Sequence, residues 1–175
     1  MKGFLLSNRE YRCFPSGQEL GIMKEQVKIR TARPGDLGTL VGFNQEMARE
    51  TEGKHLDLEI LASGVGAVLE DSRRGFYLVA EISGETVGSL MITTEWSDWR
   101  NGDFWWFQSV YVQPKWRKLG VFKALHEEAR NRAVHASGVC GCRLYVERDN
   151  TSAQAVYARR GFQETDYKMF EDLFD

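Results

Sequence analysis

Prolines, cysteines and histidines number three each in the 175 residues, and each scarcity closes off a class of protein. So few prolines, with 42% apolar and 27% charged residues, belong to an ordinary globular chain without low-complexity segments. Cys13, Cys140 and Cys142 are an odd set without framework spacing. Cys140 and Cys142 would share one face of a strand, a poor disulfide geometry. A single C-x-C with no second ligand pair is no zinc site, so ordinary reduced thiols and no metal are expected. His55, His126 and His135 have no partners at catalytic spacing and read as structural or solvated. A net charge of −2 gives no basic field for nucleic acid. No apolar run approaches the roughly 20 residues needed to cross a bilayer. Met1 to Leu6 is too soon interrupted by polar residues to be a signal peptide, so a cytoplasmic protein is expected.

What the chain does have is length for one domain with a real core, and a clear alternation of patterns. Residues 1–22 show no period and read either as an appended arm or as the result of an upstream start codon, leaving 23–175 as the folded domain. Strand pattern at 27–30 leads through Ala32-Arg33-Pro34-Gly35-Asp36 into a helix over 36–51, and a second helix covers 57–71. Strands at 75–82 and 86–94 join at Ser83-Gly84-Glu85. A polar, Trp-containing connection, 95–102, precedes a strand at 104–112. A long helix over 118–136 follows, then a strand at 143–147, a short helix at 152–160 and a final strand over 162–170. The order is that of one α/β layer system, antiparallel in its first half with a crossover helix in its second.

The run Gln113-Pro114-Lys115-Trp116-Arg117-Lys118-Leu119-Gly120-Val121-Phe122 ends a strand and opens a helix. A helix start leaves backbone N–H groups unpaired. With the positive end of the dipole and two cationic side chains, those amides make a site for a diphosphate. About 30 residues on comes Leu144-x-Val146-x-x-x-Asn150-x-x-Ala153-x-x-x-Tyr157-x-x-x-Gly161-Phe162.

Together, Val110-Tyr111-Val112 with Arg117-x-x-Gly120 and this second segment resemble the GNAT superfamily of acyl-CoA-dependent N-acyltransferases, over roughly residues 104–163. The resemblance implies an α/β (α+β) fold whose central mixed, mostly antiparallel sheet is flanked by helices and splayed at the acetyl-CoA site. It implies that the backbone of Arg117, Lys118, Leu119, Gly120, Val121 and Phe122 wraps the diphosphate of coenzyme A. Val110, Tyr111 and Val112 would run beside the pantetheine arm. Asn150 would bond near it, and Tyr157 would protonate the departing thiolate. A phenol of pKa about 10 is protonated at neutral pH and suits that role. An N–H at Val110 or its neighbour would meet the oxyanion.

Three positions depart from the family pattern. Lys118 stands where glycine is usual, and Phe122 where a small residue is usual. Gln108, two before Val110, stands where a glutamate base often lies and cannot take a proton. Glu95 and Asp98 in the connection, and Glu46 or Glu50 on the first helix, are the alternative bases, beside bulk solvent. Glu95 to Gly102 with Trp105-Trp106 reads either as an aromatic pocket for a cationic amine or as core on one face and a homodimer interface on the other. Trp116 would cover the cofactor loop or sit exposed beside it. The expected activity is transfer of an acetyl group from acetyl-CoA directly to a primary amine of a small molecule. The alternative is an acyl-CoA-binding regulatory module without catalysis.

Overall fold

A computed structural model describes residues 27–174, so the expected arm at 1–22 lies outside the described residues. The elements run β1 (Lys28–Thr31), α1 (Leu37–Glu52), α2 (Leu58–Glu70), β2 (Phe76–Ile82), β3 (Glu85–Ser97), β4 (Gly102–Val112), α3 (Val121–His135), β5 (Val139–Leu144) and α4 (Thr151–Arg159). Single 3-10 turns at Pro34–Asp36 and Pro114–Trp116 precede α1 and α3. The strands lie in the order β1-β2-β3-β4-β5. Every neighbouring pair is antiparallel except β4 with β5, which the crossover helix α3 makes parallel.

Period-2 patterning buries both faces of the central strands. Leu78, Ala80, Leu90, Ile92 and Phe107 face α3, whose Val121, Leu125 and Ala129 are buried against them. Tyr77 and Val79, one residue out of phase, face α1 and α2 through Leu40 and Val65. Ser83 and Gly84 both take positive φ, the pair of left-handed residues that a two-residue hairpin turn requires. The Asp57 carboxylate accepts from the N–H groups of Glu59 and Ile60 at 2.9 and 3.0 Å, capping α2. Near the sheet edge, Asp36 accepts two bonds from Arg30, at 2.7 and 2.8 Å, and one from the Arg33 N–H at 2.7 Å. The Arg30 bonds hold its carboxyl below the usual range.

Four boundaries differ from the sequence reading. β3 runs on to Ser97 and takes Glu95 into the strand. α3 starts at Val121 rather than 118, because Lys118 and Gly120 both sit at left-handed φ and cannot continue a right-handed helix. β5 starts at Val139, where the Gly138 carbonyl accepts from the Asp103 N–H at 2.7 Å and sets the parallel register. After α4 the chain forms no strand through 174.

Candidate active site

The opening in the sheet lies between β4 and β5. Their parallel pairing starts at Asp103↔Val139 and stops at Phe107↔Leu144, yet β4 continues to Val112. From Gln108 onward the outer edge of β4 therefore has no neighbouring strand. Within this stretch lies a bulge. Ser89 pairs with Tyr111 and Met91 with Gln108, so β4 carries an extra residue, and Ser109 takes φ +46°. A bulge re-aims the backbone groups beside it, here those of Ser109 and Val110.

β4 runs directly into the turn that opens α3. Gly120 is the helix N-cap, at φ +88°, with no side-chain cap. The first helical N–H to find an acceptor is that of Ala124, on the Gly120 carbonyl at 3.0 Å. The N–H groups of Lys118 to Lys123 have no protein acceptor among the described residues. A Cβ placed on Gly120 would meet nothing within 4 Å, so open space stands above these amides. An uncapped helix start with consecutive free N–H groups, two left-handed residues and open space suits a diphosphate.

The side chains of the loop are placed differently from each other. Arg117 turns back to the chain: its Nε donates to the Val112 carbonyl at 2.8 Å and its Nη2 to Glu50 at 2.5 Å. Lys118 is exposed and forms no ion pair among the described residues. Leu119 is half-buried. Phe122, the bulky departure from the family pattern, packs inward with its ring edge-on to Tyr157 at 5.6 Å. Trp116 does not stand exposed beside the loop; it is half-buried against the core, its indole N–H unpartnered.

α4 closes the site from the β5 side. Asn150 is its N-cap, the Oδ1 accepting from the Ala153 N–H at 3.0 Å, which leaves the amide NH2 to donate elsewhere. Tyr157 lies on the inward face of α4 between Phe122 and Phe162, with centroids at 5.6 and 6.1 Å. Its hydroxyl bonds no described side chain, and burial pushes its pKa above 10. The phenol is thus held protonated in an aromatic wall.

The candidate bases are elsewhere. Glu95 accepts from the Trp106 indole and from Arg143 at 2.6 Å. Four strand steps, about 13 Å, separate Trp106 from Val110. Asp98 lies in the β3–β4 turn, capping the Trp99 N–H at 2.8 Å, eight or more residues and about 26 Å of strand from the bulge. Neither reaches the opening. Glu46 is paired with Arg49 at 2.5 Å on the exposed side of α1. Glu50 touches the split strand, its Oε1 accepting from the Tyr111 hydroxyl at 3.3 Å, but it is engaged by Arg117. The Gln108 amide donates to Thr93. The tryptophans divide: Trp105 packs edge-on to Phe76 at 5.3 Å in the core, Trp106 lies near Tyr145, and Trp96 and Trp99 stand exposed.

One residue the sequence reading passed over is Tyr77. It is buried on the α1 side, with its hydroxyl 3.5 Å from the Asn44 amide and near Ser109 of the bulge. Its place in an apolar strand gave no signal, since the bulge beside it is not visible in the pattern.

A family model described as "Acetyltransferase (GNAT) family" matches residues 40–162. The chain belongs to the GNAT acetyltransferase family. Its sheet and four helices have the fold of solved GNAT structures. A possible acetyltransferase from Clostridium difficile 630 is 43% identical over 86% of this chain and 99% of its own, with a TM-score of 0.80. A predicted acetyltransferase from Clostridium acetobutylicum, solved with acetyl-CoA, is 18% identical over 83% of this chain and 96% of its own, TM-score 0.69. The structure of AAC(6')-Iy with a CoA-S-monomethyl-acetylneamine bisubstrate analogue is 18% identical over 85% and 99%, TM-score 0.69. A search of curated proteins finds no match. As a GNAT acetyltransferase, the protein uses acetyl-CoA as its acyl donor. No helix among the described residues is long and apolar enough to cross a membrane.

Proposed function

We propose that the protein transfers an acetyl group from acetyl-CoA directly to a primary amine of a small molecule, with no covalent enzyme intermediate. Acetyl-CoA supplies the activated thioester. The Arg117 N–H is spent on the Pro114 carbonyl at 3.3 Å, so the amides of Lys118 to Phe122 hold the diphosphate, with Gly120 allowing close approach and Lys118 adding a cation. The unpaired edge of Val110, Tyr111 and Val112 takes the pantetheine arm as an added strand, and the Asn150 amide donates toward it. The N–H at the bulge, on Val110, stabilises the oxyanion that develops as the amine attacks. Tyr157 donates its proton to the departing thiolate. The amine's proton leaves to solvent, since Gln108 cannot accept it, Glu46, Glu50 and Glu95 are paired and Asp98 is distant, and solvent returns a proton to the Tyr157 phenolate.

The single observation that carries this reading is the unpaired, bulged edge of β4 running straight into the uncapped turn at Gly120. The fold can seat an amine beside coenzyme A, since AAC(6')-Iy holds an analogue that joins CoA to acetylneamine. A thiol-release assay with a panel of small amines tests the proposal. Turnover on at least one amine, lost selectively in Tyr157→Phe, is expected. Tight acetyl-CoA binding with no turnover on any amine or peptide would instead indicate the non-catalytic module.

A further inference from the structure

His126 takes no part in the transfer chemistry, yet it is a polar ring buried inside an aromatic shell. It is 5% exposed, with the rings of Phe107, Phe122 and Phe162 at 5.9, 6.1 and 5.6 Å between centroids. Its Nδ1 has no hydrogen-bond partner among the described residues. Such an atom has lost its water without a replacement bond, a state that buried polar groups in folded proteins rarely keep. Burial first, then the charges of Arg160 and Arg130, hold the imidazole pKa below 6.5. At neutral pH the ring is therefore uncharged and has one N–H to donate.

His126 lines an open groove of about 290 Å³ between α3, β5 and the end of α4. Val134, Val139 and Phe162 give the groove apolar walls. Two arginines line it as well, Arg130 one helical turn beyond His126 and Arg160 just after α4. The charge of Arg130 acts on both His126 and Cys142, which puts it between α3 and β5. Arg130 has no ion pair among the described residues. Arg160 has only a 3.5 Å contact with Glu127, an exposed carboxylate that Lys123 approaches at the same distance. The groove stands apart from the cofactor turn, since about 15 Å of α3 separates Arg130 from Gly120.

We propose that this groove binds a small organic monocarboxylate with an apolar body, separately from acetyl-CoA and the amine. The carboxylate lies between Arg130 and Arg160, whose planar forks match its two oxygens. Arg130 and Arg160 against Glu127 leave one positive charge, which a monoanion neutralises and a phosphate dianion exceeds. His126 supplies an N–H at the inner wall and gains the partner that its own chain does not give it. The apolar body lies along Val134, Val139 and Phe162. Benzene fills an apolar cavity of about 150 Å³, so this groove takes roughly a phenyl ring with a short acid arm. Phe122 and Phe162, which flank His126, also flank Tyr157 at 5.6 and 6.1 Å, so the occupant adjoins the wall of the transfer site.

A ligand-observed NMR titration of the full chain with 3-phenylpropionate at neutral pH tests this. A compound of about eleven non-hydrogen atoms in such a site should show a Kd of about 0.1–1 mM. The neutral 3-phenylpropionamide is expected to bind at least about tenfold more weakly, because it lacks the charge that both arginines read. Arg130→Gln with Arg160→Gln is expected to weaken the acid by a similar factor, with circular dichroism and acetyl-CoA affinity unchanged. His126→Phe keeps a ring in the shell and removes the donor, and should weaken the acid about threefold or more. Gly120→Glu lies in the cofactor turn and should leave the acid's affinity as it is, so failure of the cofactor reading and failure of this one are distinguishable. No binding of the acid up to about 10 mM would overturn the proposal. Equal binding of the amide, or arginine variants without effect, would remove the charged site. Displacement by saturating acetyl-CoA would put the acid in the cofactor site instead. Tighter binding of phenyl phosphate than of the acid would refute the monocarboxylate assignment.

Discussion

Replacing Gly120 by glutamate tests the cofactor cradle most directly, because the structure separates its two consequences. Gly120 sits at φ +88°, so any side chain there costs about 1–2 kcal/mol of backbone strain. In a chain of this size each kcal/mol lowers Tm by about 2–4 °C. No atom lies within 4 Å of the added Cβ, so strain is the whole cost to the fold, and Gly120→Ala and Gly120→Glu should lose similar stability. Binding is where they part. A carboxylate about 5 Å from a diphosphate carrying two charges repels it by roughly 2–3 kcal/mol at an effective dielectric near 50–60. Titration calorimetry with acetyl-CoA should therefore show Gly120→Glu weaker than Gly120→Ala by about 50- to 100-fold, a gap that narrows at 1 M salt as the charges are screened. If the two variants bind within about twofold of each other at low salt, the diphosphate does not lie at this turn.

Tyr157→Phe should lower kcat by about 10- to 100-fold with KM for acetyl-CoA nearly unchanged, read by steady-state thiol release. Burial raises the phenol's pKa, so any alkaline loss of kcat due to Tyr157 should come at higher pH than the titration of a free phenol. Glu95→Gln should leave kcat within about threefold of wild type, since its carboxylate serves Trp106 and Arg143 rather than the opening; a loss of 100-fold would return it to the chemistry. His126 is buried among Phe107, Phe122 and Phe162, and burial lowers its pKa below 6.5. The unfolded chain therefore takes up a proton that the folded one refuses, and stability falls as pH drops below about 6.5. Urea unfolding of His126→Phe between pH 7 and 5 should show a flatter dependence than wild type. Gly75→Ala would drive a Cβ to 2.1 Å from the Ile92 carbonyl oxygen, and urea unfolding should show a loss of at least about 3 kcal/mol.

Period and punctuation made most of the fold legible. The helices α1 and α2 announced themselves by their apolar stripes. The β2–β3 hairpin was marked by Ser83-Gly84, because a two-residue turn needs left-handed backbone and few residue types supply it. Errors fell where tertiary pairing overrode local signal. The polar stretch beginning at Glu95 read as a connection, yet Glu95 and Trp96 pair with Phe104 and Asp103 and extend the hairpin. β5 read late because Cys140 and Gly141 have weak strand preference alone. The parallel register with β4 holds them in the sheet, and Gly141 fits because a side chain there would strike the Phe104 ring at 2.8 Å.

The two halves of the site were unequally visible for a physical reason. A diphosphate is recognised by backbone conformation, and conformation leaves marks in sequence: a glycine at the N-cap, cations around it, a strand before and a helix after. A tyrosine four residues before a helix-stopping glycine fixes the other wall. The acceptor side is made by side chains that only folding brings together. Glu95 and Asp98 looked like a cation site because they lie near tryptophans in sequence. In space, Arg143 comes from β5 to neutralise Glu95, and Asp98 is spent on a turn. Glu50, from the far end of α1, reaches Tyr111 and Arg117 across more than sixty residues of chain. No local spacing encodes such pairings. The bulge at Ser109 belongs to the same class: it depends on the register with β3, and so the atom proposed to meet the oxyanion was legible only as a neighbourhood, Val110 or the residue beside it.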